Sequence, residues 1–130
     1  PVRFFDREDL DSPSNGTVVA DADTLRHLMV PLLDKAPRFV ELVGEGDHTL
    51  LVGVGPLGCA QFGSADGRGA ALVALAPGGG DTDDYIDFMI GGTATPVPAR
   101  FCMPFPDLLR IAAHFVVTER RSLEFTWSAA

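Results

Sequence analysis

The residues whose types and spacing could do chemistry are mainly acidic. Asp81, Asp83, Asp84 and Asp87 surround Tyr85, and Glu41, Glu45 and Asp47 cluster around a Gly-rich turn earlier in the chain. Carboxylates so grouped can act as acid and base or hold a divalent cation, because hard cations take oxygen ligands. A calcium loop opening at Asp81 would need Gly at its sixth position and a bidentate Glu at its twelfth, where Ile86 and Gly92 stand. That pattern fails. Carboxylates flanking an aromatic are suited instead to protein recognition, since the charges attract a basic partner over distance and the ring anchors it at small entropic cost.

Other motifs exclude more than they support. Gly53-Val54-Gly55-Pro56-Leu57-Gly58 satisfies G-x-G-x-x-G after an expected strand. A dinucleotide site requires a helix to start in that loop, and Cys59-Ala60-Gln61-Phe62 reads as another strand. The motif is therefore a hairpin turn. Gly78-Gly79-Gly80 is not followed by Lys-Ser or Lys-Thr and is a loop. His27, His48 and His114 form no paired-ligand spacing, with the first and last expected on helices and His48 in a turn. Cys59 and Cys102 lie far apart in apolar stretches and are expected to be reduced core thiols. A Cys/His pair or a serine triad through Ser64 can be drawn, but no local signature supports either. No catalytic residue, metal site or cofactor is assigned.

The elements that must position the acidic groups follow from periodicity. Val2–Phe5 reads as a short strand, and turn formers fill Ser12-Pro13-Ser14-Asn15-Gly16. Leu25, Leu28, Met29, Leu32 and Leu33 then fall on one helical face, with Asp21 or Asp23 as N-cap. Pro31 implies a kink or a helix tighter and shorter than that pattern. From Arg38 to about Arg100 the period is strand-like: Phe39–Val43, Thr49–Val54, Cys59–Phe62, Ala70–Leu75 and Tyr85–Ile90, with Ala94–Cys102 extending the last beyond Gly91-Gly92. Pro106 opens a second helix faced by Leu108, Leu109, Ala112, Phe115 and Val116 and closing near Arg120. Leu123–Trp127 reads as a final strand. The expected fold is α+β, an antiparallel β-meander of about five to six strands with two helices packed on one face and the other face free for contact.

Length and charge bound the function. The 130 residues make one domain, and 46% apolar with 22% charged residues is ordinary globular composition. Eighteen acidic against ten basic residues leave a formal charge of −8. Nucleic acid and anionic lipid are poor partners for that surface, whereas a basic protein suits it. The sequence contains no membrane-span-length apolar run and no signal-peptide pattern at its start, so the expected compartment is the cytoplasm.

The C-terminal third carries a family resemblance. Tyr85–Gly92, then Pro98-Ala99, Pro104, Ala112-Ala113 with Phe115, and the run Glu124-Phe125-Thr126-Trp127 together resemble immunity family one of bacterial polymorphic-toxin systems. The resemblance implies a cytoplasmic antitoxin that binds and blocks a cognate secreted toxin domain, often a nuclease or nucleic-acid deaminase. Phe115 and Trp127 in that pattern are expected to be core residues, because large aromatics dominate cores. The expected contact surface is Asp81, Asp83, Asp84, Tyr85 and Asp87, helped by Glu45 and Asp47, against a basic toxin face. The competing readings are a secretion-associated chaperone or adaptor and a small enzyme.

Overall fold

Asp21 begins the first helix. In the computed structural model, which describes residues 1–78 and 83–130, its carboxylate accepts the Thr24 N–H at 2.7 Å and caps α1 (Ala22–Met29). Pro31 cannot supply the N–H that would continue an α-helix, and the chain tightens into a 3-10 turn over Val30–Asp34. The apolar stripe survives this change: Leu25, Met29 and Leu32 are all buried.

Ten strands form the sheet among the described residues. They are β1 (Val2–Asp6), β2 (Thr17–Val19), β3 (Arg38–Val43), β4 (His48–Val54), β5 (Leu57–Ser64), β6 (Leu72–Ala74), β7 (Tyr85–Ile90), β8 (Thr93–Pro98), β9 (Met103–Pro104) and β10 (Trp127–Ala129). The long path runs β10-β6-β5-β4-β3-β1-β2, every neighbour antiparallel. The expected meander is its centre, β3 to β6. The strand count exceeds the expected five to six for identifiable reasons. Strand β2 is three residues long and follows a run of turn formers, and β9 has two residues, one of them Pro104.

Period two divides the strands between two cores. Val40, Leu42, Leu50, Val52 and Ala60 face α1 and α2 (Phe105–Thr118), packing with Leu25, Met29, Leu108, Ile111 and Phe115. Both helices thus lie on one face, as expected. Each fully buried Val, Leu, Ile, Met or Phe side chain among them contributes about 1.5–3 kcal/mol. On the other face Phe39 and Cys59 pack with Phe88 and Cys102.

Two sequence expectations need correction here. Ala94–Cys102 does not extend β7. The chain reverses at Gly91 and Gly92, both with positive φ, and returns as β8 in register from Ile90↔Thr93 to Tyr85↔Pro98. This β7–β8 hairpin folds over the sheet face opposite the helices, so that face is only partly free. Its one ladder contact with the sheet is the parallel bridge Arg38↔Met89. The last strand also comes later than Leu123–Trp127, as Trp127–Ala129 pairing with β6, because Ser122 and the turn after it hold the preceding residues. Trp127 donates from Nε1 to the Ser122 carbonyl at 2.9 Å.

Candidate functional site

The β7–β8 hairpin is where the acidic residues acquire a geometry. Along β7 the side chains alternate: Ile86, Phe88 and Ile90 turn toward the sheet, while Tyr85 and Asp87 are exposed on the outer face. Phe88 is the hairpin's anchor. Its ring lies 5.4 Å from that of Phe39 and over Gly53 and Cys59, where a Cβ on Gly53 would come within 2.8 Å of it. The second glycine-rich feature of the sequence, G-x-G-x-x-G, is therefore explained by close approach. Gly53 makes room for Phe88, and Gly58 packs against the Gly53 carbonyl and Leu108 of α2.

The far end of the hairpin is fastened to the start of the chain. Gly91 N–H donates to the Arg7 carbonyl at 3.0 Å and Gly92 N–H to Glu8 Oε1 at 2.8 Å. Arg7 in turn pairs with Glu41 on β3 and lies over the Phe5 ring, so Glu41 is committed to an ion pair. At the near end Ala99 N–H donates to the Asp84 carbonyl at 2.9 Å. These bonds fix the direction of β7 across one end of the sheet.

The expected contact residues consequently separate into two places. Asp83, Asp84, Tyr85 and Asp87 are consecutive or alternate on the hairpin, all exposed, with Tyr85 63% accessible. Glu45 and Asp47 are also exposed but occupy the β3–β4 turn, beyond Val43. The hairpin meets β3 at Arg38, its other end, roughly 17 Å of strand away at about 3.4 Å per residue. Asp81 lies outside the described residues.

Behind the hairpin is a cleft that the sequence reading missed. Its volume is about 500 Å³, with Phe39 and Leu51 in its floor, Val97 and Pro98 of β8 on one wall, and Val73 and Phe101 toward the other side. Such a volume is within the ordinary range of ligand and side-chain pockets. Gln61 links it to a smaller groove of about 190 Å³ that continues past Thr49 along the open sheet. A signal for it was present in the sequence: Arg38-Phe39-Val40-Glu41-Leu42-Val43 and His48–Val54 are too continuously apolar for strands covered on one face only.

The groups that could do covalent chemistry are occupied elsewhere. Burial pushes the Cys59 thiol up to about 12, the neighbouring Cys102 adding to it, and burial raises Cys102 to about 11. Thiols so shifted carry little thiolate near neutral pH. Cys102 is held in the cluster under the hairpin, whereas His114 is on α2 across the sheet, so they form no pair. Contrary to the turn expected for it, His48 opens β4, opposite Ser64 on β5 and stacked on Phe62. The Ser64 hydroxyl donates to the Arg68 carbonyl at 2.5 Å rather than to that ring. Among the described residues no group of three or more His, Cys, Asp or Glu side chains is placed to hold a metal ion.

An α+β domain with two helices on one sheet face and, across the other, a hairpin that exposes Tyr85 and Asp87 is what this chain builds. Residues 10–129 match the family model of immunity protein Imm1, and the chain belongs to that family. Membership extends the resemblance from the C-terminal third to nearly the whole chain and gives the protein an immunity, antitoxin role with a protein toxin as partner. Comparison with curated proteins finds no match. Phe115 is fully buried and Trp127 packs at the edge of the same core, so both aromatic residues serve the fold. No helix among the described residues is long and apolar enough to cross a membrane.

Proposed function

We propose that this immunity protein neutralises a secreted toxin domain acting on nucleic acid, a nuclease or deaminase, by laying the outer face of the β7–β8 hairpin over the toxin's basic active-site cleft. The observation that carries the reading is Tyr85, 63% exposed on the β7–β8 hairpin with Asp83, Asp84 and Asp87 exposed beside it. A large aromatic left in water between carboxylates supplies both parts of a recognition surface, an area-burying anchor and charges that attract a cation-rich face. A toxin that binds nucleic acid must present such a face. Asp81 precedes this run and belongs to the proposed patch. Glu45 and Asp47, at the other end of β3, contribute through the long-range field of a chain whose formal charge is −8.

Inhibition by this route works by occupancy. Carboxylates and Tyr85 replace the phosphates that the toxin would bind, and no bond is made or broken. The test is co-expression with a toxin domain found, by screening products of neighbouring genes, to be toxic in cells lacking this protein, followed by affinity measurement at low and high salt. Wild-type protein rescues growth, Tyr85→Ala weakens binding by roughly tenfold or more, and joint Asp83→Lys and Asp84→Lys slows association and flattens its salt dependence. Unchanged affinity and salt dependence in these variants would remove the patch. A partner harmless in cells lacking this protein would remove the antitoxin reading.

A further inference from the structure

The cleft behind the hairpin has walls that are mostly apolar, yet β8, which forms one of them, pairs with the strand that carries Tyr85 and Asp87. Cross-strand pairs share a face of a sheet, with side chains about 5 Å apart. Tyr85 pairs with Pro98 and Asp87 with Pro96, and both prolines line the cleft. A partner that touches Tyr85 and Asp87 therefore lies one strand from the opening. We propose that the cleft receives an extended apolar segment of the toxin flanked by Lys or Arg, the apolar side chain entering over Phe39, Leu51 and Val73 while the cation faces Asp87. This rests on the reading of the chain as a toxin-binding protein and adds the chemistry of the segment bound.

Three features select that occupant over others. Among the described residues β8 pairs with β7 alone, and its other edge carries Pro96 and Pro98 in place of N–H donors, which disfavours pairing with an added strand and leaves side-chain insertion as the mode of contact. The polar groups of the lining are few and placed at its borders. Gln61 stands in the floor where the second groove begins, and Arg100 on the rim has its guanidinium 4.6 Å from the Phe101 ring centre. Both can donate to backbone carbonyls, which an extended segment presents at every residue. Finally, the carboxylates on the hairpin match the charge of a toxin surface built to hold phosphates, so the apolar anchor is expected next to cations.

The experiment fills the cleft from two sides. Gln61→Trp builds bulk up from the sheet and Thr95→Tyr inward from β8, both at half-buried positions that line the opening. Each purified variant is compared with wild type for thermal melting and for affinity to a catalytically inactive toxin domain. The expected result is unchanged melting with affinity reduced about tenfold or more in at least one filled variant, mainly through faster dissociation. Folded variants that bind within about twofold of wild type, while Tyr85→Ala or Asp87→Lys weakens binding, overturn the cleft and leave the hairpin reading intact. Loss of binding in the filled variants with Tyr85→Ala and Asp87→Lys both silent keeps the apolar insertion but overturns the cation facing Asp87, and removes the hairpin patch. A wild-type protein that does not bind the toxin overturns both. A concentration-dependent dimer abolished by Gln61→Trp assigns the cleft to a second copy of the chain and overturns the proposal as well.

Discussion

Arg38 on β3 donates from Nη1 to Asp6 Oδ2 on β1 at 3.0 Å, and the two residues are only 9% and 3% exposed. Asp6 has further duties, since its Oδ1 accepts the N–H groups of Glu8 and Asp9 and shapes the turn that follows β1. Among the described residues Asp6 is the carboxylate that pairs with Arg38, whose buried Nε has no hydrogen-bond partner there. Removing one member of a buried pair leaves an uncompensated charge, at about 3–5 kcal/mol. Asp6→Ala is expected to lose that much by urea denaturation, and Asp6→Asn less because the Oδ1 acceptor remains. A joint Asp6→Leu and Arg38→Met change should recover much of the loss. A drop below about 1 kcal/mol for Asp6→Ala would place the pair among those that contribute little.

Gly53 sets the seat of the hairpin. A Cβ there would stand 2.6 Å from Cys59 Sγ and 2.8 Å from the Phe88 ring, both buried and unable to withdraw without opening the second core. Gly53→Ala is expected to lower stability by about 1–3 kcal/mol, the usual range for overpacking. The loss should be local as well. Amide exchange in β7 and β8 should accelerate more than in β4 and β5, because the hairpin has one ladder contact with the sheet and depends on Phe88. Gly63→Ala is the control, with nothing within 4 Å of its new methyl group. Equal effects of the two substitutions would refute the assignment.

The sequence made some of this architecture legible and concealed the rest for definite reasons. Leu25, Met29 and Leu32 declared the first helix and its buried face, and Pro31 its tightening, because local sterics dominate there. The meander was visible in alternating strands and glycine turns. The returning strand β8 was not, because Pro96 and Pro98 argue against a strand unless it is an edge, and edge status is a tertiary fact. Likewise, Tyr85 and the aspartates around it could be singled out by type, but their distance from Glu45 and Asp47 depends on where the hairpin crosses the sheet. That crossing is set by Phe88 meeting Phe39, a contact between residues far apart in sequence.

The two cysteines make a prediction about alkaline pH. Their thiols are pushed to about 12 and about 11 in the native protein, first by burial and for Cys59 also by Cys102. Unfolded thiols ionise near pH 8.5. Between these values the unfolded state binds fewer protons than the native one, so unfolding becomes easier as pH rises from about 9 toward about 11. The stabilisation is complete below the unfolded pKa and lost on the alkaline side. Melting temperature should therefore fall over that window more steeply for wild type than for a joint Cys59→Ala and Cys102→Ala variant. At pH 8 a thiol-alkylating reagent should modify the native protein only as fast as it opens, with denaturant releasing both sites. Rapid stoichiometric labelling of folded protein would contradict the buried placement.

Glu119 ends α2 in the left-handed region, with φ 55° and ψ 30°, the only described residue other than glycine to do so. That conformation costs roughly 1 kcal/mol for a residue with a Cβ. The carboxylate offsets it by accepting the Gly46 N–H at 3.1 Å, which ties the helix end to the β3–β4 turn. Gly44 is part of the arrangement, since a Cβ there would run into Glu119 Oε1 and stand 3.1 Å from the His48 carbonyl. Two opposed effects follow for substitution at Glu119. Glu119→Gly relieves the backbone and loses the hydrogen bond, so it should be nearly neutral. Glu119→Ala keeps the backbone penalty and loses the bond, and should destabilise by about 1 kcal/mol. Gly44→Ala should be harmful in the wild-type background and lose most of its effect beside Glu119→Gly, because the displaced carboxylate is then gone. A double-mutant cycle by chemical denaturation reads this directly as a coupling energy between the two sites. Additive behaviour would mean that Gly44 is required by the turn itself and not by the carboxylate that closes over it.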